Sequence, residues 1–200
     1  MAVVSGGTTL IDNGTLDAGV PTGKLILLST QTASSSATLD FTSGIDSTYD
    51  SYVFKFYDIH PATDDVKLQF QADTGTNTNY NQTITSTFFQ YYHLESDSAS
   101  GGGYVTSLDQ AQGTAFQTIL NGIGNDNDQN ANGTIQIFNP SSSVFVKHFI
   151  ATGNRSSSDN ASVNEFCAGY FNLTTPLTRF QFKMSSGNID DGIIKMYGVK

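Results

Sequence analysis

Val66-Lys-Leu-Gln-Phe-Gln-Ala72 switches between apolar and polar at every residue. Period-two alternation puts Val66, Leu68, Phe70 and Ala72 on one face of an extended chain and Lys67, Gln69 and Gln71 on the other, the pattern of a half-buried strand. Upstream, Ser51-Tyr-Val-Phe-Lys-Phe-Tyr-Asp-Ile59 follows the same rule, with Tyr52, Phe54 and Phe56 on one face and Val53, Lys55 and Tyr57 on the other. Ala37-Thr-Leu-Asp-Phe41 alternates as well, and Leu25-Ile-Leu-Leu-Ser-Thr30 is an apolar run of strand length. Downstream, Ile84–Leu94 is rich in strand formers, with a short helix as its alternative. Gln110–Asn121 carries both a helical face (Ala111, Ala115, Ile119) and an alternation (Phe116, Thr118, Leu120), and Gly113 and the flanking turns favour the strand.

The C-terminal half continues in kind. Thr134–Phe138 is stopped by Asn139-Pro140, and Val144–Ala151 places Val144, Val146, His148 and Ile150 on one face. Glu165–Leu173, Leu177–Met184 and Gly192–Val199 complete the series. Roughly ten strands separated by Gly, Asn, Asp and Ser turns have the spacing of a sandwich or barrel. No βαβ alternation occurs, which argues against a nucleotide-binding α/β fold. The expected fold is all-β: one antiparallel β-sandwich of jelly-roll type over residues 24–200, with a short helix or two at most. Residues 1–23 read as an N-terminal arm or edge segment, in which Val3, Val4, Leu10 and Ile11 would make the assembly contacts.

Composition narrows the function classes. Charged residues are only 14% of the chain, so its polarity rests on Ser, Thr, Asn, Gln and Gly, which suits strands and turns. The net charge of −9 and the lack of a basic stripe argue against nucleic acid as a partner. No apolar run approaches the ~20 residues of a membrane span, and the N-terminus lacks the pattern of a signal peptide, so a soluble protein made in a cytoplasm is expected. Cys167, the single cysteine, sits in the apolar run Glu165–Phe171 and reads as a buried structural thiol.

Chemistry-bearing motifs are sparse. His60, His93 and His148 lie on separate segments without metal-ligand spacing. No Gly-x-Ser-x-Gly elbow or phosphate-binding loop is present, and no catalytic residue or cofactor is expected. In Gly122–Asn130, Asp126, Asn127 and Asp128 supply hard oxygen ligands but lack the spacing of a calcium loop. A polar turn is the favoured reading there. A sugar site would need an aromatic platform beside amides, and Asn79, Tyr80, Tyr91 and Tyr92 are the candidates for glycan or host contact.

Several longer stretches carry a family likeness: Val4-Ser-Gly-Gly-Thr-Thr9, Ile45-Asp-Ser-Thr-Tyr-Asp-Ser-Tyr52, His60-Pro-Ala-Thr-Asp64, Asp109-Gln-Ala-Gln-Gly-Thr-Ala115, Gly124-Asn-Asp-Asn-Asp-Gln129, Phe138-Asn-Pro-Ser141, Met184-Ser-Ser-Gly-Asn-Ile189 and Lys195-Met-Tyr-Gly-Val199. Through them the chain resembles an uncharacterised virion structural protein family of tailed phages of marine and freshwater bacteria, cyanophages included. The resemblance implies a virion protein, either a head decoration (cement) protein or a tail-fibre subunit. It would partner other capsid or tail proteins. Strand-edge burial suggests a homo-oligomer, expected to be a trimer. A carbohydrate-binding attachment module and, last, a glycan depolymerase are the alternatives.

Overall fold

The computed structural model describes residues 2–12, 15–16 and 25–200. These form sixteen strands and no helix. Near the N-terminus β1 (Val3–Ser5), β2 (Thr8–Asp12) and β3 (Thr15–Leu16) pair only with each other, as a small antiparallel sheet. The remaining strands are β4 (Ile26–Thr32), β5 (Leu39–Phe41), β6 (Ser51–Pro61), β7 (Val66–Thr74), β8 (Ile84–Leu94), β9 (Ser100–Tyr104), β10 (Ala111–Gly113) and β11 (Gln117–Ile123). They continue with β12 (Ala131–Phe138), β13 (Lys147–Ser156), β14 (Ala161–Phe171), β15 (Leu177–Met184) and β16 (Ile189–Val199).

Two antiparallel sheets result. The larger has nine strands in the order β10-β8-β14-β13-β12-β6-β16-β4, with β9 also on β8, and the smaller has four in the order β11-β7-β15-β5. Four ladders nest inside one another along the sequence: β4 with β16, β5 with β15, β6 with β12, and β7 with β11. Strands β8–β10 are inserted inside the innermost loop, and β13 and β14 between β12 and β15. These insertions extend the large sheet beyond β12.

Aromatic side chains from both sheets interlock between them, which makes the body a β-sandwich. Phe54 of β6 meets Phe180 and Phe182 of β15 at ring-centroid distances of 5.4 and 5.2 Å, and Phe41 of β5 at 5.1 Å. Phe70 of β7 meets Phe149 of β13 at 5.0 Å and Phe171 of β14 at 5.9 Å. Each fully buried Phe contributes about 1.5–3 kcal/mol through area removed from water, and edge-on ring contacts add to that. The run from Val66 to Ala72 points its apolar residues inward, as its alternation predicts.

One strand departs from plain alternation near its end, and one reading needs correction. Tyr52, Phe54 and Phe56 do face the core, but a bulge at Asp58 (φ 51°) then turns Tyr57 and Asp58 outward together and returns Ile59 to the interior. The Asn132 side-chain oxygen accepts the Asp58 backbone N–H at 3.0 Å and braces that bend. In the run from Val144, residues 144–146 precede the strand, and β13 buries Lys147, Phe149 and Ala151 while exposing His148 and Ile150. Lys147 is the reason the pattern misleads: it is fully buried, and its ammonium donates to the Leu173 carbonyl at 3.1 Å. Desolvation holds its pKa below the usual lysine value.

Val3 and Val4 are exposed and Ile11 is half-buried, in a compact hairpin-like unit and not in one extended strand. The Leu10 side chain and residues 13–14 and 17–24 lie outside the described residues.

Candidate functional site

Antiparallel register aligns side chains directly opposite one another, so the outer face of the large sheet can be read row by row. One row runs Tyr104, Phe89, Phe166, Thr152, Thr134, Lys55, Lys195. A second runs Thr87, Ala168, Ile150, Gln136, Val53, Tyr197. A third, on the other side of the first, runs Tyr91, Asn164, Asn154, Asn132. No outward position in these rows carries Asp or Glu, although the chain has 18 acidic residues. Lys55 and Lys195 are the charged residues, and each ammonium lies over a ring, Tyr197 at 5.8 Å and Tyr57 at 5.3 Å.

The same face concentrates exposed apolar side chains. Phe89, Tyr104, Phe166, Ile150 and Tyr57 are all open to solvent, with Ile150 at 51%. Phe89 and Tyr104 form an edge-on pair at 5.0 Å, and the Tyr104 hydroxyl donates to the Asp109 carboxylate. Beside Ile150, an apolar hollow of about 470 Å³ is lined by Thr85, Thr87, His148, Ala168 and Tyr170. Sequence reading missed this surface, because strand alternation alone does not say which face of a strand is covered.

The structure separates the residues expected to form one glycan platform. Tyr80 is 5% exposed: its backbone N–H donates to Asp73 at 2.9 Å and its hydroxyl to Asp40 at 3.3 Å, beneath the loop on the outer side of the small sheet. Burial, and then the Asp40 charge, push its pKa up. Tyr80 is therefore a packing residue with no free ring face, and the exposed Asn79 sits with it on the side of the sandwich away from Tyr91. Tyr91 and Tyr92 lie on opposite faces of β8, as strand geometry requires. Tyr91, 56% exposed, joins the asparagine row. Tyr92 lines a separate hollow of about 190 Å³ with Gln90, Arg155 and Asp159.

The Asp126–Asp128 turn packs against the end of β6 and the turn that follows it. The Asp64 carboxylate accepts the Asn125 N–H at 3.2 Å, and His60 Nε2 lies 3.3 Å from the Asp126 carbonyl oxygen. Asp128 and Asn127 share a hollow of about 300 Å³ with Asp58, Asp190 and Asp191, but among the described residues no three His, Cys, Asp or Glu groups converge in metal-binding geometry. Of the other histidines, His93 pairs with Asp97 at 3.0 Å at the surface and His148 stands near Tyr170, so the three stay apart.

Two buried polar groups lie beneath the outer face. Glu165 on β14 is fully buried and takes the Asn121 N–H at 2.9 Å and Arg155 Nε at 3.4 Å, while Arg155 Nη1 donates to the Gly122 carbonyl at 2.6 Å. Desolvation pushes the Glu165 pKa up to about 7, against the opposing pull of Arg155 and the Asn121 N–H. Next to it on the inner face, Cys167 is buried, and desolvation followed by the Glu165 charge raises its pKa far above that of a reactive thiol.

Compared with protein-family models, curated proteins and solved structures, the chain matches none.

Proposed function

We propose that the protein is a non-enzymatic structural component of a tailed-phage particle, carried on the particle exterior as a capsid decoration or as a tail-fibre or tail-tip subunit. The observation that carries this reading is the outer face of the nine-stranded sheet, whose central rows carry exposed aromatics and no carboxylate, the nearest ones standing at its end on Asp58, Asp190 and Asp191. Contiguous apolar patches on soluble proteins mark contact surfaces, and charge depletion with aromatic enrichment is the composition of an interface centre. In a chain of net charge −9, those central rows also let two copies meet without opposing carboxylates. The partners are further copies of this chain, closed into a trimer, and other capsid or tail proteins.

Two more features support the reading. The nested ladders, β4 with β16 through β7 with β11, support reading the sandwich as a long hairpin rolled into two sheets, in the manner of a jelly roll. The N-terminal unit pairs with neither large sheet and exposes Val3 and Val4, which suits a docking element. The sequence resemblance to virion proteins of marine and cyanobacterial phages points the same way.

Gold-labelled antibody against the protein, viewed by electron microscopy on intact particles, tests the placement. Gold over the head makes it a decoration protein, and gold confined to the tail makes it a fibre or tip subunit. Particles that carry the protein nowhere on their exterior would overturn the proposal.

A further inference from the structure

The row of Tyr91, Asn164, Asn154 and Asn132 differs from the rest of the outer face. It carries one large ring and then three amides on successive strands β14, β13 and β12. At a strand spacing of about 4.8 Å, the row spans ~14 Å, the reach of a short oligosaccharide. We propose that this row, with the cleft it opens into, is a binding groove for an uncharged oligosaccharide.

The ring is set up as a platform by its neighbour strand. Across from Tyr91 on β9 stands Gly102, where a Cβ would come within 2.6 Å of the Tyr91 ring and 2.2 Å of the Gln90 carbonyl. Glycine therefore lets the ring rest against bare backbone and leaves its other side to solvent. Gly101 does the same for Tyr92 on the opposite face, where a Cβ would meet the ring at 3.3 Å. Aromatic rings laid over strand glycines hold their orientation without a pocket around them. A flat, oriented ring with one open side is what the C–H face of a pyranose stacks on.

The amides supply acceptors along the row, and Asn164 supplies donors as well. Asn154 is held by two bonds from its Nδ2, to Ser162 Oγ at 3.0 Å and the Val163 carbonyl at 3.1 Å, which turn its side-chain oxygen outward. Asn132 is braced through Asp58 and Asn130, with its Nδ2 donating to Asn130 Oδ1 at 3.2 Å. Asn164 is exposed and makes no side-chain hydrogen bond among the described residues, so both ends of its amide face the solvent. The free Asn164 amide can pair with adjacent hydroxyls as donor to one and acceptor from the other, while the Asn154 and Asn132 oxygens accept from hydroxyls on either side. Beyond the amides the groove deepens into a cleft of about 360 Å³ lined by His93, Glu95, Asn130 and Ser162.

Charge sets the ligand class. Glu95 borders the cleft, Asp97 stands beside His93, and among the described residues the one Lys or Arg at its wall, Arg155, is buried and committed to Glu165 and Gly122. A uronic or sialic acid would meet carboxylates here with no free cation to pair with. Neutral hexose polymers meet amide oxygens that accept from their hydroxyls and, at Asn164, an amide that also donates.

The groove stands independently of where the protein sits in a particle, so it is tested on the purified full chain. Neutral glucan, galactan and mannan oligosaccharides are immobilised as probes, with uronic-acid oligosaccharides as the charged comparison. Binding of at least one neutral probe is expected, weakened at least about tenfold by Tyr91→Ala and kept by Tyr91→Phe, since the ring and not its hydroxyl does the stacking. Asn164→Ala is a second variant whose exposed side chain can be removed without unfolding the sheet, and it also weakens binding. Absence of binding to every neutral probe overturns the proposal. So does binding that survives both Tyr91→Ala and Asn164→Ala in folded protein, or binding restricted to the acidic probes.

Discussion

Raising the pH from 5 to 8 should destabilise this protein, and Glu165 should be the cause. In the unfolded chain this carboxyl titrates near 4.5, while in the folded chain burial between β14 and β11 pushes it up to about 7. Between those values the folded state keeps a proton that the unfolded state has released. Stability therefore falls as pH rises through the window and levels off above it. A displacement of that size corresponds to about 3 kcal/mol at ~1.4 kcal/mol per pH unit. For a domain of this length that is ~6–12 °C in melting temperature. The assay is a set of thermal melts at half-unit steps of pH, for the wild type and for Glu165→Gln. The variant keeps the shape and the acceptor for the Asn121 N–H but has no proton to lose, so its profile should be flat over the window in which the wild type declines. Asp46, whose pKa is lowered chiefly by its hydrogen bonds to Thr48, acts only at more acidic pH and does not interfere. A wild-type melting temperature that rises or stays level from pH 5 to 7, in parallel with the variant, would refute the reasoning.

Two further outcomes follow from the buried and exposed faces. Ile150→Asp places a carboxylate in the middle of the outer face, where the native side chain is half exposed. It should change monomer stability by less than about 0.5 kcal/mol but abolish self-association in sedimentation, so persistence of an oligomer would remove that face from the interface. Cys167 should resist thiol reagents in native buffer at pH 8 and react fully in denaturant, because its sulfur is buried and its thiolate disfavoured. Rapid native labelling would contradict that burial.

The sandwich was legible wherever one face of a strand packs and the other is wet. Val66–Ala72 shows this at Lys67 and Gln69, which are half-buried on the side away from the core, whereas Gln71 on that same side is fully buried and donates to the Gln82, Thr114 and Ala115 carbonyls. Alternation fails at Asp58, where a bulge shifts the phase by one residue, and at Lys147, where a buried ammonium occupies a position that reads as outward. It is also blind to pairing over long separations. Nothing local in Ile26–Thr32 or Ile189–Val199 says that these two strands lie side by side. The candidate site suffers from the same blindness. Tyr80 and Tyr91 are alike in residue type and polar context, yet one is tied down by Asp40 and Asp73 and the other lies open over Gly102. Glu165 and Arg155 meet only because the β13–β14 register brings two strands into one layer.

The place of β16 has a consequence for how the chain is made. This strand is the last of the sandwich to be translated, yet it lies between β6 and β4 and hydrogen-bonds to both. Until it emerges from the ribosome, β4 has no neighbour in its sheet and β6 has one bare edge. The large sheet therefore cannot close until β16 has been made, and its closure is a long-range pairing, a slow step. A stop codon anywhere before Ile189 would not trim an edge but would split the sheet through its interior. During that interval the nascent chain exposes strand edges to its neighbours on the same message, and copies emerging side by side are then poised to pair with each other.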